Sequence, residues 1–323
     1  MEPQRIKMKF QSSKIIMGAL IGVLFLSVSF VYAETAEEYL NHGVVEAKQH
    51  NFAQAVSDFT KALEMKPNLE EAYYNRGIVH DEQGNFAQAL SDFAKAIAIK
   101  PNDAKVYYNR GVTYSKQSSL TQAIVDYNKA IELNPKYSDA YYSRGVIFHK
   151  QGNLSQAISD YGKAIEINPI NAVAYNNRGF DYATQGNFMQ AIVDYNKAIE
   201  INPNYVDAYY NRGVAFLKQG NLPQTIADHN KAIEINPGHA DFYYSRGLAY
   251  TKQGKFAQAI ADHTKAIEIN PNYTEAYENR GVAHFAAKEY DKAWADVHKV
   301  EEMGSAVHPK FLDFLKKASG REN

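Results

Sequence analysis

The chain has no cysteine and a single tryptophan among 323 residues. Without thiols there is no disulfide, no thiolate metal site, no cysteine nucleophile and no lipid-modified N-terminal cysteine, so packing alone must hold the fold. Net charge is also nearly absent, at −1. It is unevenly placed: Arg5, Lys7, Lys9 and Lys14 against Glu2 give +3 to residues 1–33 and leave −4 beyond them. A mildly acidic body lacks the row of cations that neutralises phosphates, so no nucleic-acid partner is expected.

The short motifs of catalysis are missing too. There is no HExxH, no phosphate-cradling Gly-Lys loop and no Gly-x-Ser-x-Gly. The ten histidines show no ligand spacing, since His229 and His263 share one recurring slot and His80 and His284 another. Candidate catalytic residue types mostly recur in register, whereas catalysis needs one non-repeating constellation, and none is evident. The expectation is a non-enzymatic chain with no cofactor and no metal.

One long apolar run exists, residues 15–30, behind the basic flank and before Val31-Tyr32-Ala33. Small side chains at −3 and −1 of a cut after Ala33 match a secretory signal peptide. The uncharged stretch also reaches the length needed to cross a bilayer. Residues 1–33 therefore read as a signal peptide or an N-terminal membrane anchor, with the remainder exported. The product would be periplasmic or secreted if cleaved. Otherwise residues 15–33 contact the inner membrane, with the rest of the chain outside the cytoplasm.

Gly recurs at 43, 77, 111, 145, 179, 213, 247 and 281, every 34 residues. Placing this Gly eighth makes unit one residues 36–69, and eight units run over 36–307. The fourth position is always Tyr, as at Tyr107 and Tyr243. On a helix, positions 4, 8 and 11 make one stripe, in which Gly lets a neighbour approach closely. Positions 20, 24 and 27 make a second stripe, Ala-aromatic-Ala in most units. Between the two lies Gln-Gly-Asn or a relative, a helix stop and start, and Pro at position 32 ends the second helix.

In unit three the pattern is Tyr107, Gly111, Tyr114, Ala123, Tyr127, Ala130, Pro135. This resembles the tetratricopeptide repeat, with Tyr for the family's usual Trp at position 4, and the resemblance covers about five-sixths of the chain. It implies an all-α, right-handed superhelical solenoid of eight helix-turn-helix units, with a concave face lined by the first helices. Unit one departs with His42, Glu46 and His50, and unit eight with Val297, Val300 and Ser305. Residues 308–323 read as a capping helix and tail, in which Phe311, Leu312, Phe314 and Leu315 cover the open end.

Arg at position 7, Asp at 23 and Lys at 26 recur almost without exception. They read as seam ion pairs: Arg meets Asp between packed helices, and Asp and Lys form an i, i+3 pair such as Asp126 with Lys129. The ligand face is opposite the packed stripe. There position 5 is Tyr in five units and position 6 is Asn in six. Tyr74, Asn75, Tyr108, Asn109, Tyr142, Asn177, Tyr210, Asn211, Tyr244 and Asn279 are the candidate peptide-binding groove, with amides for a peptide backbone and phenols for its side chains. Position 2 supplies an acidic edge and position 13 a basic one, and units differ at positions 2, 5, 9, 12 and 13. Within the family, one subgroup grips a C-terminal carboxylate with Lys at position 5 and Asn at 9. Here those are mostly Tyr and aliphatic, which argues against that clamp. The function expected is a scaffold that holds a protein or peptide segment; the alternative is a structural module of an envelope assembly.

Overall fold

A computed structural model describes residues 34–321. Residues 1–33, read above as signal or anchor, and the last two residues lie outside them. Among the described residues there are helices and no strand, and no helix is long and apolar enough to cross a membrane.

Sixteen helices form eight antiparallel pairs in the expected phase. They are α1 Ala36–Lys48 with α2 Phe52–Met65, α3 Glu70–Glu82 with α4 Phe86–Ile99, α5 Ala104–Lys116 with α6 Leu120–Leu133, and α7 Ser138–Lys150 with α8 Leu154–Ile167. The series continues with α9 Ala172–Thr184 and α10 Phe188–Ile201, α11 Val206–Lys218 and α12 Leu222–Ile235, α13 Ala240–Lys252 and α14 Phe256–Ile269, α15 Thr274–Ala286 and α16 Tyr290–Glu302. Each second helix also packs on the next first helix, and successive first helices touch directly, as α3 does α5. The first helices therefore form the inner wall of an all-α solenoid.

The fixed Gly and the second-helix ring explain one another. A Cβ on Gly77 would stand 2.8 Å from Phe93, and one on Gly213 would stand 2.8 Å from His229. Real side chains do not approach so closely, so the ring lies flat on bare backbone and the two helices of a unit close together. Ala at positions 20 and 27 completes the contact; Ala89, Ala96, Ala123 and Ala130 are wholly buried.

At the turn between helices Gly84, Gly152, Gly186, Gly220 and Gly254 are left-handed, and His50, Ser118 and Lys288 take the same conformation with side chains. The Asn that follows, such as Asn85, makes no side-chain cap. Only α1 opens with a full capping box, Thr35 with Glu38.

The last helix, α17 Pro309–Ser319, is the expected cap. Phe311 and Leu315 are buried and Leu312 packs beside them, but Phe314 points to solvent, 58% exposed. At position 24 unit eight has Val297 in place of a ring, and Phe311 approaches Gly281 instead, 3.7 Å from where a Cβ would be. The cap thus supplies the aromatic that the last unit lacks. Trp294 donates its indole N–H to Ser319 at 3.0 Å and ties the cap to α16.

Candidate functional site

The regular charges belong to the seams. Each Arg of position 7 grips the Asp of position 23 in its own unit with two nitrogens, as Arg178 does Asp194 at 2.8 and 2.7 Å. The Asp is buried and accepts a charged fork, the favourable geometry for a carboxylate. The hydrogen bond that Arg178 donates to Asp194 holds its guanidinium pKa above the ordinary value. Several of these Arg side chains also reach back to the preceding unit, Arg76 to Thr60 at 2.8 Å and Arg212 to Asn196 at 2.6 Å. Lys at position 26 departs from expectation. With Asp taken by Arg, Lys129 pairs with Glu132 and Lys197 with Glu200, one turn further on. Only Lys61 stays near its Asp, 3.9 Å from Asp58, in the unit where His42 replaces Arg.

The ten candidate groove residues line the inner wall, half-buried. Their polar atoms are not idle. Asn109 donates to the Tyr74 hydroxyl at 3.0 Å, Asn177 to Tyr142 at 3.1 Å and Asn279 to Tyr244 at 3.3 Å, each across a unit boundary. Tyr108 reaches Ser143 at 3.5 Å, and Asn211 bonds the Asn176 side chain at 3.1 Å. Asn75 has no such partner, because Leu40 stands where the hydroxyl would be. The phenol rings lean on the buried rings of their own units, Tyr108 on Tyr127 at 5.8 Å and Tyr210 on His229 at 5.7 Å. Position 34 adds a further ring that the repeat pattern did not single out: Tyr137 lies 4.9 Å from Tyr108, and Tyr273 lies 4.9 Å from Tyr244. Burial raises the Tyr74, Tyr108, Tyr142, Tyr210 and Tyr244 hydroxyls above their ordinary pKa, so they remain neutral donors and acceptors. The wall is a linked Tyr–Asn ladder, with less free amide than the sequence implies.

Unit five breaks the ladder. Asn176 stands where neighbouring units have Tyr, Phe180 where they have an aliphatic residue, and Asp181 where they have Val, Thr, Ile or Ala. Asp181 is wholly buried and accepts from Nδ1 of His149 on α7 at 2.5 Å, while its second oxygen has no partner. Burial pushes the Asp181 carboxyl up, and the His149 hydrogen bond pulls it back. Sequence reading found no non-repeating cluster of such residues; the solenoid brings one together from two units. Position 12, where His149 stands, varies between units, but Asp181 stands at position 10, and its pairing with a residue 32 places earlier crosses a unit boundary. Among the described residues no group of acids and histidines could hold a metal ion.

Models described as TPR repeat or tetratricopeptide repeat match residues 70–103, 93–125, 114–152, 138–171, 181–220, 206–239 and 240–273. The chain is a tetratricopeptide-repeat protein. No curated protein matches it in sequence. Among solved structures of such repeat proteins, YrrB, described as a TPR protein with an unusual peptide-binding site, is 27% identical with a TM-score of 0.53. That match covers 57% of this chain and 95% of YrrB. The C-terminal part of a TPR protein from Cytophaga hutchinsonii is 21% identical with a TM-score of 0.62, covering 74% of this chain and 98% of its own. A TPR protein from Parabacteroides merdae is 22% identical with a TM-score of 0.54, covering 77% and 98%. These last two share the fold alone.

Proposed function

We propose that this TPR protein is a non-enzymatic scaffold that holds an extended segment of a partner protein against its inner wall. The observation that carries this reading is the Tyr–Asn ladder. Rings and amides are spaced one unit apart along a continuous wall, and each ring keeps a half-exposed face. Aromatic faces give contact area at little entropic cost, and amides can pair with a peptide backbone. The likeness to YrrB supports a peptide ligand, because that protein's site is described as peptide-binding. Export of residues 34–323 past a membrane, by signal or anchor, belongs to the same proposal and rests on residues 1–33 of the sequence. A Glu34 N-terminus on the exported protein establishes cleavage.

The test separates ring from hydroxyl. Capture of partner segments by residues 34–323 falls sharply when Tyr108, Tyr142 and Tyr210 become Ala. Because these rings also pack on Tyr127, Tyr161 and His229, the same positions are changed to Phe as well. Phe keeps the packing and helicity and removes only the ladder hydroxyls. Undiminished capture by an Ala variant that remains helical sinks the groove reading. Association of whole chains, the structural alternative, is read from light scattering as mass rising with concentration.

A further inference from the structure

The inner wall carries two cavities side by side, of about 260 and 230 Å³, and Phe180 stands between them with 44% of its surface exposed. Both border unit five, which lacks the ring that its neighbours place at position 5. Asn176 stops short of Tyr195, whereas Tyr142 and Tyr210 cover the corresponding rings of their own units.

The first cavity lies at the seam of units four and five, with His149, Tyr161, Asn176 and Asn177 around it. Both of its amide oxygens are engaged, and both of its amide nitrogens have an N–H to spare. The Asn176 oxygen accepts from Asn211 at 3.1 Å, and the Asn177 oxygen accepts from Asn176 at a long 3.4 Å. Each amide nitrogen carries two hydrogens and uses one, that of Asn177 on Tyr142. Nδ1 of His149 is engaged with Asp181. Nε2 is then left without a partner among the described residues. An imidazolium donates from both nitrogens, which is the form in which Nε2 serves a ligand carboxylate. Asp181, wholly buried behind the imidazole, stands ready to balance that ring's charge. The second cavity, at the seam of units five and six, is walled by Ala183, Phe188, Tyr195, Val214 and Ala215, with Lys218 at its edge. The acidic edge of the wall is interrupted at the same unit, where Val173 occupies position 2.

We infer that units four to six form a two-pocket recognition site for an acidic peptide. An Asp or Glu side chain enters the first cavity toward His149, Asn176 and Asn177, and a neighbouring apolar side chain enters the second beside Phe180. This inference rests on the groove reading above and names the kind of segment held there.

The probe is a positional-scanning library of short peptides, acetylated and amidated so that no terminal carboxylate is present, passed over the immobilised full-length chain. At one peptide position the unaltered chain selects Glu or Asp over Gln or Asn by about tenfold or more, and selects an apolar residue nearby. His149→Gln keeps a donor for Asp181 but cannot carry charge, and loses the acid selection alone. Asn176→Tyr restores the ring that other units have, fills the gap and loses both selections. Lys317→Gln, exposed on the terminal helix α17 and outside the groove, leaves the pattern unchanged, and circular dichroism checks that each variant is folded. Peptides bound without acid preference, with a preference for Lys or Arg, or with an acid preference that survives both His149→Gln and Asn176→Tyr overturn this inference while the groove reading stands. A library in which no peptide binds overturns both.

Discussion

Units three and seven are nearly the same object built around different rings. In both, a position-5 Tyr leans on the ring of position 24 and on a second Tyr at position 34: Tyr108 on Tyr127 and Tyr137, Tyr244 on His263 and Tyr273. In both, a bare Gly backs that ring, Gly111 under Tyr127 and Gly247 under His263. What differs is the proton. Burial pushes the Tyr127 hydroxyl far up, so it never ionises near neutrality. The His263 imidazole is wholly buried with neither nitrogen hydrogen-bonded, and burial pushes it down to about 4; His229 in unit six is the same. One slot with one shape therefore accepts either ring at neutral pH, and only acid tells them apart.

The largest expected effect breaks that equivalence. An unfolded histidine takes up its proton near pH 6.5, whereas the buried ones resist down to about 4. Between those values the unfolded chain binds more protons, so stability is full above about 6.5 and falls as pH drops toward 4. The difference amounts to about 3 kcal/mol for each histidine by the end of that window. Units six and seven should open first. Trp294, the only tryptophan and buried in unit eight, should report unfolding at a higher pH than the helical signal of the whole chain. His229→Phe together with His263→Phe should bring the two transitions together. Coincident transitions in the unaltered chain would contradict the assignment.

A smaller effect comes from the glycines beneath the two rings. A Cβ at Gly111 would stand 2.8 Å from Tyr127, and one at Gly247 would stand 2.7 Å from His263. Gly111→Ala and Gly247→Ala should each cost about 1–3 kcal/mol from overpacking, reduced by alanine's better helix propensity. Measured by thermal unfolding at neutral pH, the two should agree, since sterics rather than charge set the cost. Gly281→Ala, whose nearest neighbour is 3.3 Å away and not a ring, should cost less. The smallest effect lies in the turns. Ser118 in unit three holds the left-handed conformation (φ 60°) that Gly254 holds in unit seven (φ 73°). Ser118→Gly should gain about 0.5–1 kcal/mol and Gly254→Ser lose a similar amount, read from the melting midpoint.

Much of this was legible beforehand because the repeat turns one weak pattern into eight agreeing ones. Phase, helix pairing, the Arg–Asp seam and the capping role of residues 309–318 follow from residue type at a fixed position. The inner-wall row of Tyr and Asn side chains was legible as a place but not as a bonding state. Tyr74 and Asn109 are 35 residues apart, and their hydrogen bond depends on how far one unit is rotated against the next. Lys129 was assigned to Asp126 by spacing alone, yet Arg110 competes for the same carboxylate and wins with a two-point contact. Phe314 fits the apolar pattern of the cap, but of the four it is the one that faces solvent, while Leu312 packs beside the buried Phe311 and Leu315.

By itself, then, the sequence determined the module: its length, its two helices, the glycine that needs a ring against it and the ring that needs a glycine. These are local demands of backbone and side chain, met within one unit. Tertiary structure alone decided what adjacent units do to each other. It closed the Tyr–Asn ladder, set His149 against Asp181, and left cavities on both sides of Phe180, at the unit that lacks the position-5 ring. Those outcomes depend on the distance and rotation between units, a property of the stack that no single repeat encodes.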